Sequence, residues 1–296
     1  MVSPQARRVG VDYLMTHRQY SQRQACELVR VARSSARYQP QSHPEEVELI
    51  SQIRRLAQEN PAYGCPRITA LLRRQGCLVN HKRVHRLWKQ EGLQLPRRRP
   101  RKQRRGPKGE AVNRAEYYNH VWSYDFLEGR TEAGSKLRIL TVLDEYTREC
   151  LEIRVERSIS ATKVIDTLEW LGLVRGLPDY IRSDNGPEFV AQAIQQWLQE
   201  NHCQTLYIKP GSPWENPYIE SFNGKLREEC LNRYAFANGR EAQEITTGWR
   251  EEYNHHRPHS SLGFQTPAEF TASVVQPLEQ SDLAPVDSKT LTLSGT

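Results

Sequence analysis

Apolar residues recur along this chain with two different periods, and the change between them divides it. In the first third the spacing is helical. From Gln5 to Tyr38 the pattern predicts three short helices: an arm reaching His17, a turn at Tyr20-Ser21, and a segment opened by Ser21, which with Gln24 three residues on makes a capping-box pair. Leu28, Val29 and Val31 supply its apolar face. After a loop at 39–44, helical spacing returns with Val47, Ile50, Ile53 and Leu56, breaks at Asn60-Pro-Ala-Tyr-Gly64, and resumes with Ile68, Leu71 and Leu72. Asn80 then caps a helix carrying Val84, Leu87 and Trp88. Residues 1–40 and 41–95 each read as a helix-turn-helix unit.

From Tyr117 the period shortens. Val121–Leu127, Lys136–Leu143 and Cys150–Val155 read as strands, followed by a helix over Ala161–Arg175. A strand at Tyr180–Ser183, a helix around Phe189–Gln199, a strand at Thr205–Ile208 and a helix opening in the stretch Ser212–Glu229 complete the series. Strands first and then alternating helix and strand predict a mixed α/β sheet flanked by helices over 117–275. The polar, Ser/Thr-rich tail at 276–296 predicts disorder.

Charge sharpens the division. Residues 1–120 hold 25 Lys and Arg against 9 Asp and Glu, a net +16, whereas 121–296 carry a net −9. A nucleic-acid-binding front half joined to a body with another task fits that asymmetry. In the helix after Asn80 the basic residues off the apolar stripe, Lys82, Arg83, Arg86 and Lys89, are placed to enter a groove or track phosphates. Between the domains, 96–116 is a basic linker in which Arg97, Arg98, Arg99, Arg101, Lys102, Arg104 and Arg105 crowd a stretch without acid, a phosphate-seeking tether. No apolar run approaches a membrane span, and the first residues lack a signal-like hydrophobic stretch, so the expectation is a cytoplasmic, nucleoid-associated protein. Six dispersed cysteines read as reduced rather than as a disulfide framework.

Three carboxylates stand out by position. Asp125 lies within the first strand among aromatic residues; Asp184 follows directly on a strand and precedes the turn Asn185-Gly186-Pro187. Glu220 shares a helical stripe with Asn216, Asn223 and Arg227, beside the apolar stripe Ile219, Phe222 and Leu226. Three such acids suit divalent metal with hard-oxygen preference, although a solvated acid is the ordinary case for any one of them. Cys65, Cys77, His81 and His85 offer a weaker, zinc-like alternative without a C-x-x-C knuckle.

The segments Tyr124-Asp125-Phe126, Ser183-Asp184-Asn185-Gly186-Pro187-Glu188-Phe189 and Asn216–Lys225 resemble the DDE transposase and retroviral integrase superfamily, with 35 residues between Asp184 and Glu220. Together with Tyr253-Asn-His-His-Arg-Pro-His-Ser-Ser-Leu262 and Tyr63-Gly-Cys-Pro-Arg-Ile68, the chain is similar to the second-frame (OrfB) product of insertion-sequence-3 family transposases over about residues 10–270.

That resemblance implies an RNase H-like core with a five-stranded sheet, cutting and joining DNA at transposon ends. It carries Asp125, Asp184 and Glu220 onto a catalytic, metal-binding triad using two Mg²⁺ or Mn²⁺ ions, and Arg227 onto a contact with donor DNA, with Lys225 and Asn223 as further candidates. It implies terminal inverted repeats and target DNA as partners, a homo-oligomer on paired ends, and an upstream-frame product acting separately or by frameshift fusion. For the loop holding His255, His256, Arg257 and His259, phosphate contact and a structural role stay open. A DNA-binding regulator without catalysis, and a nonspecific RNase H-like nuclease, are the rival readings.

Overall fold

The computed structural model describes residues 4–38, 44–96, 114–183, 192–207 and 216–282. Backbone contacts divide the chain into two units, Met1–Arg55 and Leu56–Thr296. The basic linker residues 97–105, Asp184 and the tail beyond 282 lie outside the described residues.

In the first unit, α1 (Pro4–Arg18), α2 (Gln22–Val29) and α3 (Arg33–Arg37) enclose Val11, Ala25 and Cys26. The capping box forms as expected: Gln24 N donates to Ser21 Oγ and Ser21 N to Gln24 Oε1. The buried face of α2 differs from the expected one, since Leu28 is 60% exposed while Ala25 and Cys26 are buried. Helix α4 (Pro44–Glu59) follows, with Val47 exposed and Leu49 buried in its place. Bulk drew the reading to Leu28 and Val47, whereas phase decides burial at about 100° per residue.

Early in the second unit stands the helix pair α5 (Cys65–Arg74) and α6 (His81–Gln90), whose buried residues are Cys65, Ile68, Thr69 and Leu72 on one helix and Val84, Leu87 and Trp88 on the other. Asn80 caps α6, its side chain accepting from Lys82 N at 2.8 Å. The turn between the helices uses Gly76 at φ +83°, a left-handed position that a Cβ would strain.

Beyond lies a five-stranded sheet in the order β3-β2-β1-β4-β5, with β1 Val121–Arg130, β2 Lys136–Asp144, β3 Cys150–Glu156, β4 Tyr180–Ser183 and β5 Gln204–Tyr207. The pairs β1–β2 and β2–β3 are antiparallel; β1–β4 and β4–β5 are parallel. This is the mixed, helix-flanked sheet that the alternating pattern predicts.

Alternation explains how both faces are buried. Trp122, Tyr124, Leu140 and Val142 face α7 (Ala161–Arg175) and α8 (Gln192–Glu200), meeting Val164, Leu168, Ile194 and Leu198. Leu127, Ile139, Leu143 and Ile153 face the opposite way, toward α9 (Pro217–Leu226) and α10 (Gly239–His255), meeting Ile219, Phe222, Leu226 and Tyr253. A π-helical turn, Arg227–Leu231, extends α9, and α11 (Pro267–Asp282) closes the series.

The outer edge of β3 is covered by side chains of α10. Asn254 accepts from Cys150 N and donates to Cys150 O, each at 2.9 Å; Gln243 accepts from Val155 N and donates to Ile153 O; Arg250 donates to Leu151 O. These two amides and one guanidinium replace the strand that the edge lacks and satisfy its backbone. Asn254→Ala leaves two buried backbone groups unpaired, at about 1–3 kcal/mol each. A stability loss of about 2–4 kcal/mol in urea unfolding is expected, and a change under about 0.5 kcal/mol would show that the edge finds other partners.

Candidate active site and DNA-facing surface

Asp125 sits on β1 opposite Thr141 of β2, on the face covered by α9. Its carboxylate is held from two directions. Phe126 N donates to Oδ1 at 2.8 Å, and Asn223 Nδ2, reaching in from α9, donates to Oδ2 at 2.8 Å. The amide oxygen of Asn223 accepts from Thr141 Oγ1 at 3.0 Å, and that hydroxyl also lies 3.2 Å from Asp125 O. Asn223 is only 4% exposed, so the residue read as a DNA contact is instead a buried clamp on Asp125. The stripe Asn216, Glu220, Asn223, Arg227 is therefore split: Asn216 and Asn223 are buried, while Glu220 and Arg227 are exposed about two turns apart.

A second polar cluster fixes β4 against β1. Ser123 pairs across the parallel ladder with Arg182, whose Nε donates to Glu145 Oε1 at 2.8 Å, and Ser123 Oγ donates to the same carboxylate. Burial pushes the Glu145 carboxyl up, while Arg182 and Ser123 oppose that shift. Two residues beyond Arg182 in the chain comes Asp184, so this buried pair sets the strand that leads to it.

Asp125 opens onto a cleft of about 1060 Å³ that it shares with Arg227, the first residue of the π turn. Arg130, Lys136, Arg138 and Arg157 line the same cleft, with Glu128 as the other acid. Arg138 stands across the ladder from Glu128 and stacks over the Phe126 ring at 4.5 Å. Five cations against the two β1 carboxylates Asp125 and Glu128 make a surface suited to a polyanion. Sequence reasoning missed four of them because they come from β1, β2 and the segment after β3, with no local run of charge to mark them.

On α6, Lys82, Arg86 and Lys89 are exposed and Arg83 is half-buried, all off the buried stripe as expected. Lys225 is half-buried on α9, its Nζ donating to Ser221 Oγ at 3.1 Å. Cys65 Sγ lies 4.0 Å from His81 Nε2, and among the described residues no group of three or more His, Cys, Asp or Glu is arranged around a metal position. No helix among the described residues is long and apolar enough to cross a membrane.

Leucine at position 223 retains the apolar contacts of α9 but removes the amide that orients Asp125. Asn223→Leu is expected to lower any Asp125-dependent turnover by about 10–100-fold, the usual cost of losing a group that orients a site carboxylate, with binding of DNA unchanged. Equal losses in binding and turnover, measured by anisotropy and single-turnover assay, would contradict the clamp.

Comparison with known proteins places three domain matches on the chain: an HTH-like domain over residues 44–101 and an integrase core domain over 116–213 and again over 201–267. The chain is 36% identical over 272 residues to a protein of insertion element IS476 of Xanthomonas euvesicatoria, covering 92% of this chain and 78% of that one. With a protein of insertion element IS407 of Burkholderia multivorans it shares 38% identity over 257 residues, 85% of this chain and 91% of the relative. Transposase InsD of insertion element IS2 of Escherichia coli is 28% identical over 244 residues, with 77% and 79% covered.

Proposed function

The chain belongs to the insertion-sequence-3 family of transposases, as a second-frame (OrfB) protein with HTH-like and integrase core domains, and from that premise we propose that it cuts and joins DNA at the terminal inverted repeats of its element. Asp125, Asp184 and Glu220 are assigned as the catalytic triad. The observation that supports the assignment is the clamped carboxylate of Asp125 in the lining of a basic cleft that Arg227 shares.

The donor set fits a hard cation. Asp125 and Glu220 offer carboxylate oxygens only, and Asn223 orients the first of these without taking it out of the cleft. Two Mg²⁺ or Mn²⁺ ions held by Asp125, Asp184 and Glu220 would supply activation of an attacking oxygen and stabilisation of the leaving one.

The chain's own residues do the positioning. Arg227 and the cations on the cleft wall hold the phosphate backbone of the strand to be cut, and α6 with Lys82, Arg83, Arg86 and Lys89 reads or tracks the repeat. The linker cations at 97–105 run across the end of the HTH-like match, at residue 101, ahead of the integrase match that begins at 116, and extend the electrostatic grip. Cleavage at an element end exposes a 3′-hydroxyl, which then attacks a second phosphodiester. Paired ends call for at least two protomers, and the upstream-frame product, separate or fused, is the further partner.

In a Mg²⁺-dependent assay on end-containing oligonucleotides, Asp125→Asn, Asp184→Asn and Glu220→Gln are each expected to lose more than about a thousandfold of cleavage while retaining end binding. Full cleavage by any one of them removes that residue from the triad. For the cleft wall, the double variant Arg130→Gln/Lys136→Gln is expected to weaken DNA binding and reduce the slope of log affinity against log salt by about 1–2. An unchanged slope would mean that DNA does not follow this wall.

A further inference from the structure

The Tyr63–Ile68 and Tyr253–Leu262 motifs, far apart in sequence, meet in the second unit. Arg257, 1% exposed, donates to Glu229 through Nε at 2.9 Å and Nη2 at 2.5 Å. Its guanidinium lies 5.6 Å from the ring centre of Tyr63 and 5.5 Å from that of Tyr253. The same Tyr63 ring carries Arg67 of α5 at 5.4 Å, and His259 meets Tyr253 edge-on at 4.8 Å. Lys225 of α9 and Arg148 of the β2–β3 loop complete the group, Arg148 stacking over Tyr218 at 3.7 Å.

The charges in this cluster do not balance. Arg67, Lys225 and Arg257 gather around Glu229, both of whose oxygens accept from Arg257, while Arg148, which donates to Glu145 O, adds its charge to the field at Lys225. Among the described residues, Arg67, Arg148 and Lys225 have no carboxylate within ion-pair distance, and two buried nitrogens, Arg257 Nη1 and His259 Nε2, have no hydrogen-bond partner. The Lys225 ammonium is pushed down to about 8 by burial and then by Arg257, Arg67 and Arg148. His259 is held neutral, near 2, by burial and by the same cations. A structural ion-pair network neutralises itself; here Glu229, and Glu252 near Tyr63, face four cations, and partly buried like charges in excess over their acids are costly unless an anion joins them.

We propose that this cluster is a binding site for one backbone phosphodiester of DNA, seated by Arg67, Arg148 and Lys225 over the buried Arg257 and His259. Resting on the DNA-processing reading above, the site ties the grip of the HTH-like helix pair, through Arg67, to the helix that carries Glu220, through Lys225. The three half-buried cations and Arg257 present N–H donors only, which suits phosphate oxygens and repels a cationic ligand.

The test uses the full chain and a duplex carrying the element's end, with affinity measured across a salt series for the wild type, Arg67→Gln, Arg148→Gln and Lys225→Met. Each single variant is expected to bind about 5–10-fold more weakly and to lose about 0.9 from the salt slope, and any pair to lose little more slope than one, because one phosphate is shared. Lys225→Met is also expected to melt at or above the wild-type temperature, since it removes a repelled cation; a structural role would lower it. Unchanged slopes, or a lower melting temperature for Lys225→Met, overturn the site while wild-type binding stands. Stabilisation of the wild type by millimolar inorganic phosphate with unchanged DNA slopes would make this a small-anion site and overturn the DNA assignment. A wild-type protein that fails to bind end-containing duplex counts against the transposase reading instead.

Discussion

A single buried amide joins the helical layer to the strand acid on which the proposed chemistry turns. Asn223 gives its NH₂ to Asp125 and takes the hydroxyl of Thr141, so α9 cannot rotate without breaking contact with two strands at once. Ile219, Phe222 and Leu226 supply the burial energy that seats the helix, but apolar packing tolerates small slips that directional hydrogen bonds do not. The position of Glu220 and Arg227 relative to the sheet is inherited from that lock. The Glu145–Arg182–Ser123 group does the same for β4 from the other side of β1.

Much of this architecture was legible in the order of residues, because its causes are local. The strand limits of β4 and the helix limits of α7 coincide with the apolar pattern, and the caps at Ser21 and Asn80 form as their side chains dictate. The double-sided burial of β2 is visible as a nearly unbroken apolar run, as a strand covered on both faces requires. Family resemblance, rather than periodicity, picked out Asp125, Asp184 and Glu220 from 35 acids.

What could not be read has a common physical origin in distance along the chain. Asn216 and Asn223 read as one polar stripe with Glu220 and Arg227 because nothing local tells a buried amide from an exposed one, and the partner of Asn223 lies 98 residues away. The cleft cations Arg130, Lys136, Arg138 and Arg157 converge only after the hairpin and the β3–α7 connection fold together. Likewise Tyr63 and Arg257 become neighbours only through the tertiary fold. Where bulk was taken for burial, at Leu28 and Val47, helical phase overruled it.

The π turn after α9 has a consequence for how this protein tolerates change in length. Arg227 O accepts from Asn232 N, five residues on, so the turn holds one residue more than α-helical closure would. That extra residue lets Arg227 face the cleft while Glu229 reaches Arg257 and Cys230 remains buried. Removing one residue from this turn would restore regular winding with the segments on either side still in phase, at the cost of the spare residue that separates their side chains. Substitutions here act on one side chain at a time, but a frame-preserving single-codon deletion would take up the spare residue and with it the room to aim Arg227 and Glu229 separately.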